Sequence, residues 1–136
     1  METLSSVAGP SAELRSPASV EVREWLERQF AAFDLVEYLR VLAESNGIGE
    51  VFPEGSQRFV HNMLLVPAEE ALEASQSQFE GRALVIGNAG VDGIRYVLQP
   101  GSPAVYAFYP IDQEFRFIAP SVLAFLRKWA AGEVRL

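Results

Sequence analysis

This chain of 136 residues holds one histidine, His61, and no cysteine. The missing thiols remove disulfides, thiolate catalysis, iron–sulfur clusters and thiolate zinc sites together. His61 lies in a stretch of mixed polarity, with no second histidine and no tight acid cluster beside it. It therefore reads as a half-buried structural residue rather than a base or a zinc ligand. A Ser-His-Asp triad can be assembled on paper from His61, a serine and Asp92 or Asp112, but no nucleophile elbow accompanies it. Glu69 and Glu70 are adjacent, so on a helix their side chains diverge by about 100° and make a poor acid/base pair. Asp112 and Glu114 flank a turn. Gly87-Asn88-Ala89-Gly90-Val91-Asp92-Gly93 is glycine-rich, but a strand follows it and no helix, so no helix dipole is there to hold a phosphate. It reads as a tight hairpin turn. These residues predict no catalytic set, no cofactor and no metal site.

Charge is the more informative signal. The formal net charge is −7 and the sequence pI about 4.7. Nucleic-acid contacts need clustered Lys and Arg, and an anionic membrane surface needs the same, so neither is expected as a partner. Between Asp34 and Glu80 there are nine acids and only Arg40 and Arg58 as bases; the remainder of the chain is balanced. This acidic third is either a solvated surface or a docking face for a basic protein. The candidate contact residues are Glu50 and Glu54, read as loop acids, then Glu69, Glu70 and Glu73 on a short helix. Asn88 and Asp92 in the glycine turn, and Tyr109, join them as a less charged centre. Asp34 and Glu37 are expected to be occupied as a capping box.

The elements that position these residues follow from periodicity. The hydrophobic class makes up 49% of the chain, enough for a packed core. Residues 1–16 are rich in Ser, Ala, Gly and Pro and predict a flexible tail before one domain over 17–136. They carry no signal-peptide pattern, and no apolar run approaches the ~20 residues of a membrane span, so the expected location is the cytoplasm. Ser16 and Pro17 open a helix whose apolar face is Val22, Trp25, Leu26, Phe30 and Phe33, with Trp25 and Trp129 both expected in the core. A second helix runs from Asp34 to Asn46–Gly47. Residues 47–58 read as a loop, Phe59–Val66 as a strand, and Pro67 to about Ser77 as a helix. Ala83–Ile86, Ile94–Leu98, Ala104–Phe108 and Phe115–Ile118 are short, apolar and separated by turn residues, the pattern of an antiparallel meander. Its aromatics, Tyr96, Tyr106, Phe108, Tyr109, Phe115 and Phe117, read as strand core or, where exposed, a contact patch. Pro120 opens a last helix. The expected fold is a single α+β domain, mainly a meander sheet with N-terminal, middle and C-terminal helices packed on it.

The order and three segments resemble the SMI1/KNR4 (SUKH) superfamily over roughly residues 35–130. The segments are Leu64-Leu-Val-Pro-Ala-Glu-Glu-Ala71, the strand–turn–strand Ala83 to Tyr96, and Ile118-Ala-Pro-Ser-Val-Leu-Ala-Phe-Leu126. A helix ending at Asn46–Gly47 precedes them, and a strand with Val105–Tyr106 lies between the last two. Where the family often has an acid after the last turn glycine, this chain has Ile94 and Arg95. The resemblance implies a bacterial immunity protein that binds and neutralises a cognate toxin, often a nuclease; the acidic balance suits a basic toxin domain as its partner, and the oligomeric state stays open, with a monomer favoured. Two other classes stay open: a dimeric chaperone like those of type III secretion, and a small enzyme with an unrecognised site.

Overall fold

The computed structural model describes residues 3–54 and 57–136, with the backbone alone over 52–54 and 57–58. It is an α+β domain. In chain order the elements are α1 (Leu4–Ala8), β1 (Ala12–Leu14), α2 (Val20–Gln29), α3 (Val36–Glu44), β2 (Ile48–Glu54), β3 (Gln57–Leu65) and α4 (Ala68–Phe79). There follow β4 (Leu84–Asn88), β5 (Arg95–Leu98), β6 (Val105–Tyr109), β7 (Glu114–Ala119) and α5 (Val122–Ala130). Among the described residues no helix is long and apolar enough to cross a membrane.

The meander forms as its alternation predicts, as an antiparallel sheet in the order β4-β5-β6-β7. Its hairpin partners are fixed by turns at the expected glycines, and Gly90, Asp92 and Gly93 all take positive φ in the first of them. One face carries Leu84, Tyr96, Leu98 and Ala107 into the main core, where Tyr96 packs on Phe125 of α5 at 4.5 Å between ring centroids. On the other face, Val85, Val97 and Phe108 form a second apolar cluster with Ala74 of α4 and with Ala83, and Phe79 packs against it. Ser75, fully buried, fastens α4 there. Its hydroxyl donates to the Ala71 carbonyl and accepts from the Val85 N–H at 2.7 Å, a donor on the outermost strand of the sheet.

Within the segment 47–58, read from the sequence as a loop, residues 48–54 and 57–58 are strand, and 55–56 lie outside the described residues. These strand residues are β2 and the start of β3, which with β1 make a second antiparallel sheet, ordered β1-β2-β3. The segment's Gly, Pro and Glu content hides the strand. β2 is held by ladders on both sides rather than by propensity. The two sheets meet where Val66 N–H donates to the Ile86 carbonyl and Gly87 lies bare against the Leu64 backbone.

The N-terminal residues are not a loose tail either. α1 buries Leu4, Val7 and Ala8 and packs on α5, and β1 adds an edge to β2. Arg15 N–H donates to Ser45 Oγ at 2.7 Å, and Asn46 N–H to the Ser16 carbonyl. A segment without internal periodicity is thus ordered by contacts distant in sequence.

Capping also differs in detail from expectation. α2 starts three residues later than Pro17, with Ser19 accepting from Val22 N–H. Asp34 accepts from Val36 N–H, but Glu37 does not close a box with it. Its carboxylate reaches across to the Leu123 N–H at 2.9 Å and caps α5, placing negative charge at that helix's positive end. Lys128, in the last turn of α5, donates to the Ile118 carbonyl. The last helix, expected to open at Pro120, starts at Val122 with Ser121 as its N-cap.

Candidate binding face on helices α2 and α4

The face is built on α4. Pro67 precedes its first turn, and Asn46 caps it: the Asn46 side-chain oxygen accepts from Ala68 N–H at 2.8 Å, and its amide nitrogen donates to Glu69 at 3.1 Å. One buried stripe of α4, Ala68, Ala71, Leu72 and Ser75, docks on the core. That leaves Glu69, Glu70 and Glu73 in water. Beside α4 runs α2, in which only Leu26 is buried and Glu21, Glu24 and Glu27 are exposed.

The two helices together present six carboxylates and two guanidiniums, those of Arg23 and Arg28. Among the described residues the ion pairs are Arg82–Glu80, Arg116–Asp112 and Arg116–Glu114. None of the six helix carboxylates takes part in one. Excess like charge on adjoining helices costs stability unless a partner neutralises it.

Trp25, expected in the core, is 46% exposed. It lines a groove between the helices with Gln29, Glu69, Leu72, Glu73 and Gln76. The core stripe of α2 passes through Leu26, with Phe30 just beyond the helix, and Trp25 sits on its flank. The i, i+3, i+4 series in the sequence could not separate flank from centre. Trp129 is half-buried, closer to expectation.

On the other side of α4, Glu70, Glu73, Ala74 and Ser77 border a small depression that Arg95 also lines. Arg95 in turn donates to the Asn88 side chain, and the Asn88 carbonyl accepts from Asn62 at 2.7 Å. Asn62, Asn88, Asp92 and Arg95 share a further shallow groove with Gln78. Because Glu73 and Arg95 each line two of these hollows, Glu69, Glu70, Glu73, Asn88 and Asp92 fall on one continuous surface, with α4 as its ridge.

The other candidates lie elsewhere. Glu50 is not a loop acid: it is half-buried on β2, near enough to Tyr96 that its charge adds to burial in pushing the Tyr96 phenol up to about 12. Burial is the larger cause, since phenolate has no water there. Tyr109 is half-buried beneath Arg116, whose guanidinium stands 4.0 Å from the ring centroid, so it is engaged internally. Glu54 ends β2, and its side chain lies outside the described residues. Tyr38 is buried beneath the α4 face; desolvation and then the Glu69 charge push its phenol well above the ordinary range.

His61 stands exposed on β3. Among the described residues no three His, Cys, Asp or Glu are placed to hold a metal ion. Of the meander aromatics, Tyr96 and Phe108 are core as expected, whereas Phe117, on the edge strand β7, is 60% exposed with Tyr106 set edge-on against it.

A scan against protein-family models and a search of curated proteins each found no match for the chain.

Proposed function

We propose that this chain is a non-enzymatic protein-binding domain whose acidic face, centred on α4, docks a basic protein partner. The observation that carries this reading is the set of six carboxylates on α2 and α4, none in an ion pair among the described residues. Such a face raises the local concentration of a cationic partner and speeds its encounter. With the SMI1/KNR4 resemblance, the reading becomes an immunity protein that blocks a basic toxin domain, such as a nuclease. Part of the element order supports the resemblance: a helix ending before Asn46–Gly47 is followed by two strands where the resemblance has one, then by a short helix, strand–turn–strand, a further strand pair and a terminal helix.

The test starts from a pull-down against the product of the neighbouring gene, followed by stopped-flow association. Glu69→Lys, Glu70→Lys and Glu73→Lys together reverse the ridge without touching the core. At low salt the triple variant should associate about tenfold or more slowly, and the gap should narrow as the screening length falls to ~8 Å or less. Equal association rates at low salt would remove the face from the account.

A further inference from the structure

We propose that the groove between α2 and α4 is a seat for an arginine or lysine side chain of the basic partner, with the Trp25 indole as its stacking face and Glu69 and Glu73 as its counter-charges. This rests on the binding-face reading and narrows it to one anchor point.

Three observations carry it. First, Trp25 leaves 46% of its surface in water although a core lies beside it. A large rigid aromatic left half-open is the residue type that anchors protein interfaces. Second, the groove has a cation-binding composition. Glu69, Leu72, Glu73 and Gln76 stand at i, i+3, i+4 and i+7, one face of α4, and with Trp25 and Gln29 of α2 they line a groove of about 500 Å³. Leu72, 6% exposed, supplies an apolar floor for the methylene stem of a long basic side chain. Trp25, whose indole is the best aromatic partner for a cation, lines the same opening as the two carboxylates. Third, the counter-charges are available. Glu69 is steadied by Asn46 through one oxygen only, and Glu73 has no ion-pair partner among the described residues. A planar guanidinium suits this arrangement better than an ammonium, since it stacks and forks at once.

The occupant follows from charge. A second copy of this chain brings net charge −7 to a face that is already acidic, and an apolar helix leaves both carboxylates unpaired. A basic segment satisfies both.

The probes are hexa-arginine amide and hexa-lysine amide, titrated at low salt into the full chain carrying Trp129→Phe, so that Trp25 alone reports by fluorescence. We expect saturable quenching or shift of Trp25 emission, with arginine bound more tightly than lysine. By calorimetry, Trp25→Ala and, separately, Glu73→Gln should each weaken hexa-arginine binding by about three- to tenfold. Trp25 and Glu73 are surface positions, and an unchanged thermal midpoint certifies the fold of each variant. If Glu70→Lys weakens binding while Trp25→Ala and Glu73→Gln leave it unchanged, the acidic face stands and the groove is not its anchor. If hexa-arginine does not bind even at low salt, both readings fall. Binding that is equal for the two peptides and indifferent to Trp25 also overturns the proposal, because it reduces the groove to diffuse charge.

Discussion

Gly87→Ala is expected to abolish or nearly abolish folding. Gly87 lies within β4 at the junction of the two sheets, and a Cβ built on it overlaps the Leu64 carbonyl oxygen and crowds the Leu65 backbone. The obstacle is main chain on β3, not the tip of a side chain. Relief requires β3 and β4 to separate, and with them the Val66 to Ile86 hydrogen bond that joins the sheets. Overpacking of this kind costs upwards of about 3 kcal/mol, a large share of the stability of a domain this size. Gly101→Ala is the matched control. Gly101 takes φ +75° with nothing within 4 Å of an added Cβ, so the change costs only the strain of a left-handed alanine, roughly 1 kcal/mol. Thermal melts of the two variants give the comparison. A Gly87→Ala protein that melts like its parent would contradict the described junction.

Deletion of residues 3–15 is expected to cost less than Gly87→Ala but far more than trimming a loose end. It uncovers the α5 surface under Leu4 and Val7, removes the outer strand from β2, and leaves buried Ser45 without the Arg15 N–H. Exposing two aliphatic side chains and their counterpart surface costs on the order of 2–4 kcal/mol. For a chain of this length that lowers the thermal midpoint by roughly 10 °C. The contact is close: a Cβ on Gly9 would stand 3.3 Å from the Ala130 Cβ. A midpoint within a degree or two of the parent would mean that α1 contributes nothing to the folded state.

The two errors of sequence reading at this end share a cause. Leu4–Ala8 is one turn and a half of helix, and Ala12–Leu14 is three residues of strand, both too short to carry a period. β2 likewise mixes Gly49, Glu50 and Pro53 into a strand that exists because β1 and β3 flank it. Such segments are set by tertiary pairing, which local pattern does not encode. The meander was legible because Val85, Val97 and Phe108 alternate with core residues of the opposite face, and each strand ends at a turn residue. The acidic third was legible as charge but not as a surface. Glu69, Glu70 and Glu73 come together on α4, while Glu50 turns inward toward Tyr96. The contribution of α2 was hidden, because its acids lie outside that stretch and its Trp25 shares spacing with true core positions. No count of charges along the chain could reveal that two helices far apart in sequence lie side by side.

The claim that α2 and α4 form the binding face is tested most directly by carboxyl footprinting. Carbodiimide labelling of exposed acids, read residue by residue by mass spectrometry, compares the free chain with its complex with the basic partner. Glu69, Glu70 and Glu73, with Glu24 and Glu27 on α2, should lose several-fold of their labelling on binding, while Asp112 and Glu114 beside β7 keep theirs. Protection of Asp112 and Glu114 with undiminished labelling along α4 would contradict the account and move the interface to the exposed aromatic edge around Phe117.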